Sequence, residues 1–149
     1  MTVRLFFDTN ILVYASDTSE PVKRAQAKSV IDDAVQTGNG VLSVQVLGEL
    51  FYTVAQRRRL LPAVDAERLI RIYAANFEIA SIDHPLVEDA IRLHQRYQLR
   101  YWDSLIVATA RSCGCKTVLS EDLNDGQDYD GVRASNPFRA ASGEGPAPN

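Results

Sequence analysis

The sequence is short of cysteine and histidine, with two of each among its 149 residues, and it has no long apolar run. Cys113 and Cys115 flank Gly114 and are too close for an unstrained disulfide, and the second ligand pair of a zinc site is missing. The apolar stretches fall far short of the ~18 residues that a membrane-spanning helix needs, and the N-terminus lacks a signal-peptide pattern. We therefore expect a cytoplasmic protein with reduced thiols and no membrane partner.

An excess of positive charge is also lacking. The net charge of −3 argues against a protein that holds nucleic acid by bulk positive charge, although it leaves local patches open. His84 and His94 are interpreted as a residue near a helix start and a residue on a helix face. A histidine acid–base pair would need both in one cleft, and nothing in the sequence indicates this.

Strand-like and helix-like segments alternate along the chain. Short apolar runs bounded by turn residues predict buried strands, and apolar stripes with capping residues predict the helices between them. The predicted strands cover residues 3–7, 40–43, 77–80, 116–120 and 132–138, the last being an edge strand limited by Pro137. Residues 121–130 are interpreted as a polar loop, and 140–149 as a disordered tail. The pattern predicts an α/β fold with helices on both faces of a mostly parallel sheet.

An acid stands at the carboxyl end of the first predicted strand. Asp8 follows the apolar run that ends at Phe7, and in an open α/β sheet ligands bind beyond the strand ends. Asp8 or Thr9 could equally cap the helix that begins near Ile11. The residues by themselves leave both interpretations open.

Three further positions carry candidate acids. Asp103 heads a helix, 101–110, that is apolar on nearly every side, so this carboxylate must cap, pair or bind a cation. Glu121 and Asp122 follow the strand that ends near Ser120. Glu49 lies off the apolar stripe of its helix, so periodicity alone favours a solvated face for it.

A cluster of such acids has a defined chemistry. Two carboxylates about 4 Å apart repel by roughly 4 kcal/mol at an effective dielectric constant of about 20, so a cluster needs a cation or bound protons. Oxygen ligands select Mg²⁺ or Mn²⁺, and the lack of nearby His and Cys argues against zinc. Phosphodiester hydrolysis is the matching reaction.

Four segments together resemble the successive acidic motifs of PIN-domain ribonucleases, and above all those of VapC toxins of bacterial toxin–antitoxin pairs. The segments are Phe7-Asp8-Thr9-Asn10, Gly48-Glu49-Leu50, Trp102-Asp103-Ser104-Leu105-Ile106 and Leu119-Ser120-Glu121-Asp122-Leu123. The resemblance extends from Val3 to about Phe138, and the order and spacing of four acids make it more specific than any single motif.

The resemblance implies a site and a set of partners. The metal-binding and catalytic acids would be Asp8, Glu49, Asp103 and Asp122, with hydrogen-bond support from Thr9, Asn10 and Ser120. This reverses the interpretation of Glu49, and Asp122 is preferred over its neighbour Glu121. The family also implies one PIN-like domain over residues 1–139 built as an α/β/α sandwich. It further implies Mg²⁺ or Mn²⁺, an RNA substrate, a homodimer and a VapB-like antitoxin.

Two other functions are compatible with parts of the pattern. A phosphohydrolase could use Asp8 as a phosphorylated nucleophile. Enzymes of this kind that resemble haloacid dehalogenases require a second Asp two residues later, where this chain has Asn10. A PIN-like module that binds RNA or protein without catalysis is the other, and four intact acids count against it.

Overall fold

The computed structural model describes residues 3–139, so the predicted tail lies outside the described residues. The strands are β1 (Leu5–Phe7), β2 (Gly40–Ser43), β3 (Glu78–Ala80), β4 (Thr117–Leu119), β5 (Asp128–Tyr129) and β6 (Val132–Ser135). The helices are α1 (Thr9–Tyr14), α2 (Pro21–Thr37), α3 (Val44–Phe51), α4 (Ala63–Asn76), α5 (His84–Tyr97) and α6 (Tyr101–Ser112). A π-helical segment, Tyr52–Arg57, continues α3.

The strands form one sheet in the order β3-β2-β1-β4-β6-β5. Every neighbouring pair is parallel except β5 with β6. In the centre, Phe6 of β1 lies opposite Val41 of β2 and Val118 of β4. The α/β fold with a mostly parallel sheet is confirmed, and its parallel strands bring their carboxyl ends to one edge.

The helices pack around this sheet in two main groups. Helices α1 to α4 contact one another in sequence-adjacent or near pairs, whereas α5 packs against α6. The predicted interior helix is α6, whose residues from Ser104 to Ala110 are all buried, against β2, β4 and β6. Within residues 3–139, no helix has both the length and the apolar character required to cross a bilayer.

The strand predicted at 132–138 is present as β6, but it is shorter than predicted and its predicted position at the edge of the sheet is wrong. Strand β6 ends at Ser135 and lies between β4 and β5, and β5 falls inside the predicted polar loop. Asp130 and Gly131 connect the two strands with φ values of 52° and 97°. Two successive positive φ values are typical of a type I′ hairpin turn, for which Asp-Gly is a preferred sequence. This dipeptide was the available signal for the hairpin.

The helical segment that begins with α3 changes its hydrogen bonding after Phe51. The following segment is π-helical, and at its end the Arg58 N–H donates to the Thr53 carbonyl at 2.9 Å. The Arg58 side chain donates to Oδ2 of Asp17 at 2.6 Å. This ion pair joins the segment to the turn between α1 and α2.

Candidate metal centre

Three carboxylates converge at the carboxyl edge of the sheet. Asp8 directly follows β1, Asp122 lies just beyond β4, and Asp103 sits in the first turn of α6. Because β1 and β4 are parallel neighbours, the residues that follow them emerge side by side. One oxygen from each of the three carboxylates lies within 4.8 Å of the other two.

Asp8 is the buried member of this group, with 5% of its surface exposed. Its Oδ1 accepts the Thr9 N–H at 2.7 Å and so caps α1, while its Oδ2 accepts the Ser120 hydroxyl at 2.7 Å. Burial raises the pKa of Asp8 to about 7, the nearby charges of Asp122 and Asp103 raise it further, and both hydrogen bonds oppose the rise. Capping and site membership therefore coincide in one residue.

Asn10 and Ser120 connect Asp8 with Asp122. The Asn10 amide nitrogen donates to Oδ2 of Asp8 at 3.2 Å and to Oδ2 of Asp122 at 3.1 Å. The Ser120 hydroxyl oxygen also accepts the Asp122 N–H at 3.0 Å. The two acids are therefore held close together, at an orientation set by neutral donors.

Glu49 lines the same cleft but is not one of the three mutually close carboxylates. Its Oε1 accepts the Thr9 hydroxyl at 3.0 Å and the Gln45 amide at 3.3 Å. Burial raises the pKa of Glu49, and these two hydrogen bonds partly oppose the rise. Glu49 is half-buried and faces the site, which differs from the solvated face that periodicity alone favoured.

Glu121 points away from the three acids. Its two carboxylate oxygens accept the Tyr14 hydroxyl at 2.9 Å and the Lys23 ammonium at 2.9 Å. Its backbone N–H donates to Oδ1 of Asn10 at 3.1 Å. Of the two adjacent acids, Asp122 is the one in the cluster, while Glu121 ties the loop to α1 and α2.

The cleft around the acids is small, about 80 Å³, and is also lined by residues outside the four acidic motifs. Arg100 forms an ion pair with Asp103, with Nε to Oδ2 at 3.1 Å and Nη2 to Oδ1 at 3.3 Å. Gln45 lies one helical turn before Glu49, and this spacing on α3 was the only sequence signal for its contact. Tyr14 and Lys23 carry no local signal, since only the tertiary fold brings them to Glu121.

The donor set fits a hard divalent cation. The three converging groups are carboxylates, and within residues 3–139 neither His nor Cys lines this cleft. Oxygen-only ligation is typical of Mg²⁺ and Mn²⁺ sites and unlike structural zinc sites. Three carboxylates at this spacing also repel, so a bound cation would remove an electrostatic penalty.

A model of the PIN domain family matches residues 5–126. The chain belongs to the PIN domain family. This match includes Asp8, Glu49, Asp103 and Asp122, so all four predicted acids lie within the PIN region. No curated protein matches the chain significantly.

Solved structures share this PIN fold. A toxin–antitoxin complex from Klebsiella pneumoniae is 21% identical, with a TM-score of 0.63 over 90% of this chain and 98% of that one. The VapC20 toxin of Mycobacterium tuberculosis, described as cleaving the sarcin–ricin loop, is 22% identical, with a TM-score of 0.62 over 76% of this chain and 86% of that one. A DNA-bound VapBC complex from Salmonella typhimurium is 14% identical, with a TM-score of 0.68 over 91% and 99%.

Proposed function

We propose that this PIN domain is the toxin of a toxin–antitoxin pair and acts as a metal-dependent endoribonuclease. The observation that carries the proposal is the convergence of Asp8, Asp103 and Asp122 within 4.8 Å at the carboxyl edge of the sheet. Membership of the PIN family and the similarity to VapC and VapBC structures support it.

In this proposal, Asp8, Asp103 and Asp122 hold Mg²⁺ or Mn²⁺. Glu49 completes the cluster, or holds a second ion or a water molecule. A divalent ion bound there polarises a phosphate oxygen and lowers the pKa of bound water, which is the chemistry that phosphodiester hydrolysis needs.

The neighbouring residues orient these acids. The Ser120 and Asn10 donors direct Oδ2 of Asp8 toward Asp122, while Thr9 and Gln45 engage one oxygen of Glu49. Among the described contacts Oε2 of Glu49 accepts no hydrogen bond, so it is available to accept one from water. Because these donors are neutral, they add no positive charge that would compete with a cation for the carboxylates.

The remaining partners belong to the same proposal. RNA is the substrate, a VapB-like antitoxin is the inhibitor, the active form is a homodimer, and the protein works in the cytoplasm. Several similar structures are toxin–antitoxin complexes, which supports the antitoxin partner.

Sedimentation should give a mass of twice the 16.5 kDa of one chain, and a mass of 16.5 kDa would contradict the homodimer.

The decisive experiment is cleavage of total RNA by the purified protein with Mg²⁺ or Mn²⁺. We expect discrete fragments that disappear with EDTA and in the Asp103→Asn variant, because this change removes a ligand charge while keeping the side-chain shape. Asp33→Asn, which neutralises an exposed acid of α2, is the matched control and should cleave like the wild type.

Two results would count against the proposal. If Asp103→Asn gives the same yield of fragments as the wild type, the acidic cluster is not required for cleavage. Intact RNA from folded protein saturated with Mn²⁺ and free of antitoxin, together with measurable RNA binding, would favour a PIN module that binds without cleaving.

A further inference from the structure

The only tryptophan of the sequence lies in the cleft of the acidic cluster. Trp102 immediately precedes Asp103, and 58% of its surface is exposed. Large aromatic side chains are usually well buried, so an exposed indole beside a polar cleft needs an explanation. The polar surroundings argue against a role in packing this chain.

The position of Trp102 is held from two sides. Its ring packs edge-on against Tyr101, with centroids 5.0 Å apart and an interplanar angle of 76°. Tyr101 is itself half-buried and packs against the hydrophobic core. The Trp102 carbonyl accepts the Gln45 amide at 3.1 Å. The edge-on contact leaves a face of the indole uncovered by Tyr101.

Arg100 lines the same cleft and lies two residues before Trp102 in the sequence. The ion pair with Asp103 uses Nε and Nη2, and in the described part of the chain Nη1 has no acceptor, so it remains available as a donor. The side chain is 74% exposed. The pair thus fixes the orientation of a guanidinium that still has N–H groups facing solvent, which suits a phosphate oxygen.

We propose that Arg100 and Trp102 form a subsite for one unpaired nucleotide of the RNA, next to the bond that is cleaved. The nucleobase stacks on the Trp102 indole, and Arg100 donates to the adjoining phosphate. The inference rests on the proposed ribonuclease function and adds to it two residues, Arg100 and Trp102, that bind the RNA beside the acidic cluster.

The requirement for an unpaired nucleotide follows from stacking. In a duplex, each internal base is covered on both faces by its neighbours, so the indole would have no free face to contact. Base–aromatic stacking is largely independent of base identity, because every base has a π-face. The subsite therefore favours unpaired over duplex RNA and discriminates little between the four bases.

Tryptophan fluorescence tests this contact directly, since Trp102 is the only tryptophan. The probes are single-stranded hexaadenylate RNA and a hexamer of the same backbone without bases, both with Ca²⁺ as a divalent ion that limits cleavage. We expect hexaadenylate to quench the emission and the abasic hexamer to leave it unchanged. Equal responses to both probes would overturn the stacking contact.

Variants separate the two halves of the subsite. Trp102→Ala should weaken hexaadenylate binding about 5- to 150-fold, and Trp102→Phe should recover most of it. Tyr52→Ala, which removes another aromatic that is 54% exposed but lies outside the cleft, is the matched control. A loss in Trp102→Ala no larger than in Tyr52→Ala would refute the proposal, provided that circular dichroism shows both variants folded.

Arg100→Ala should weaken binding of both probes and make the slope of log affinity against log salt shallower by about 0.7. Arg68→Ala, at an exposed arginine of α4 paired with Asp65, should leave the slope unchanged. If the salt dependence of binding is unchanged in Arg100→Ala, Arg100 does not contact the phosphate and is not part of the subsite.

Failure of this inference is distinguishable from failure of the proposed function, because binding and cleavage are measured separately. Quenching by hexaadenylate without metal-dependent cleavage would keep the subsite and reject the nuclease. Metal-dependent cleavage without quenching would support the nuclease and reject the Trp102 subsite. If the tryptophan emission changes with protein concentration and does not respond to RNA, Trp102 lies in an interface between protein molecules. This result would overturn the proposal.

Discussion

Asp8 is at once the N-cap of α1 and the most buried acid of the proposed metal centre. The same carboxylate can do both because one oxygen accepts the Thr9 N–H while the other faces Ser120, Asn10 and the neighbouring acids. Its burial is unfavourable for the charged form, and the surrounding donors compensate only in part.

The raised pKa of Asp8 predicts a pH-dependent instability. A carboxyl whose pKa rises from 3.8 to about 7 on folding contributes stability that is full below pH 3.8 and is lost as the pH rises through 7. In EDTA, the free energy of unfolding of Asp8→Asn relative to wild type should therefore increase by about 2–3 kcal/mol between pH 5 and pH 8. Urea titrations at both pH values measure it.

Comparison between two pH values makes this test independent of the hydrogen bonds that Asn alters. Losing the Asn10 and Ser120 contacts to Oδ2 shifts the stability of the variant by a similar amount at both pH values. A stability difference that stays constant from pH 5 to pH 8 would show that Asp8 does not titrate in this range.

At the scale of elements, the three arginines that follow α3 have different environments. Within residues 3–139, Arg58 is the one of the three that donates to a buried acid, Asp17, whose exposed fraction is 1%. Ser19 chiefly, and Arg58 after it, hold the pKa of Asp17 below its usual value. In the sequence, residues 57–59 are one uninterrupted run of arginines, and the fold separates Arg58 from the other two.

Arg58→Ala should lower the free energy of unfolding by about 1–2 kcal/mol, because it leaves a buried carboxylate with fewer donors in a partly solvated pair. Arg57→Ala and Arg59→Ala should stay within about 0.5 kcal/mol of wild type. Urea denaturation compares the three variants. Since the pKa of Asp17 is lowered on folding, the deficit of Arg58→Ala should shrink as the pH falls below about 4. Equal effects of all three changes would contradict a structural role for Arg58.

The elements also show how far local sequence was informative. Helix α6 was predicted as an interior helix, and its buried run from Ser104 to Ala110 confirms this. The β5–β6 hairpin was missed because two-residue β5 is too short to show alternation, although the Asp130-Gly131 turn was visible. The π-helical segment had no such signal, since its hydrogen bonds depend on how α3 packs.

At the scale of the whole molecule, the proposed metal centre predicts that stability depends on a cation. Its members come from positions distant in sequence, so an ion bound there would crosslink the end of β1, α6 and the loop after β4. Binding to the folded state alone stabilises it by RT ln(1 + [L]/Kd), or about 2.7 kcal/mol at a concentration of 100 Kd.

Saturating Mn²⁺ should therefore raise the Tm by roughly 5–10 °C in a differential scanning experiment. The shift should be larger at pH 8 than at pH 5, because protons on Asp8 compete with the ion. Asp103→Asn should lose most of the shift, whereas Asp33→Asn should keep it. A shift that survives in Asp103→Asn would place the ion elsewhere.

By itself, the sequence determined the α/β class, the parallel strands and the identity of the acids, because apolar periodicity and strand-end residues are local properties. Its resemblance to PIN ribonucleases named Asp8, Glu49, Asp103 and Asp122 before any geometry was known. Tertiary structure alone decided that three of them converge while Glu49 is held beside them by Thr9. It also turned Glu121 toward Lys23 and left Trp102 exposed in the cleft. These outcomes depend on which strands become neighbours and which side chains then meet across them, and such long-range contacts are not encoded in any local pattern.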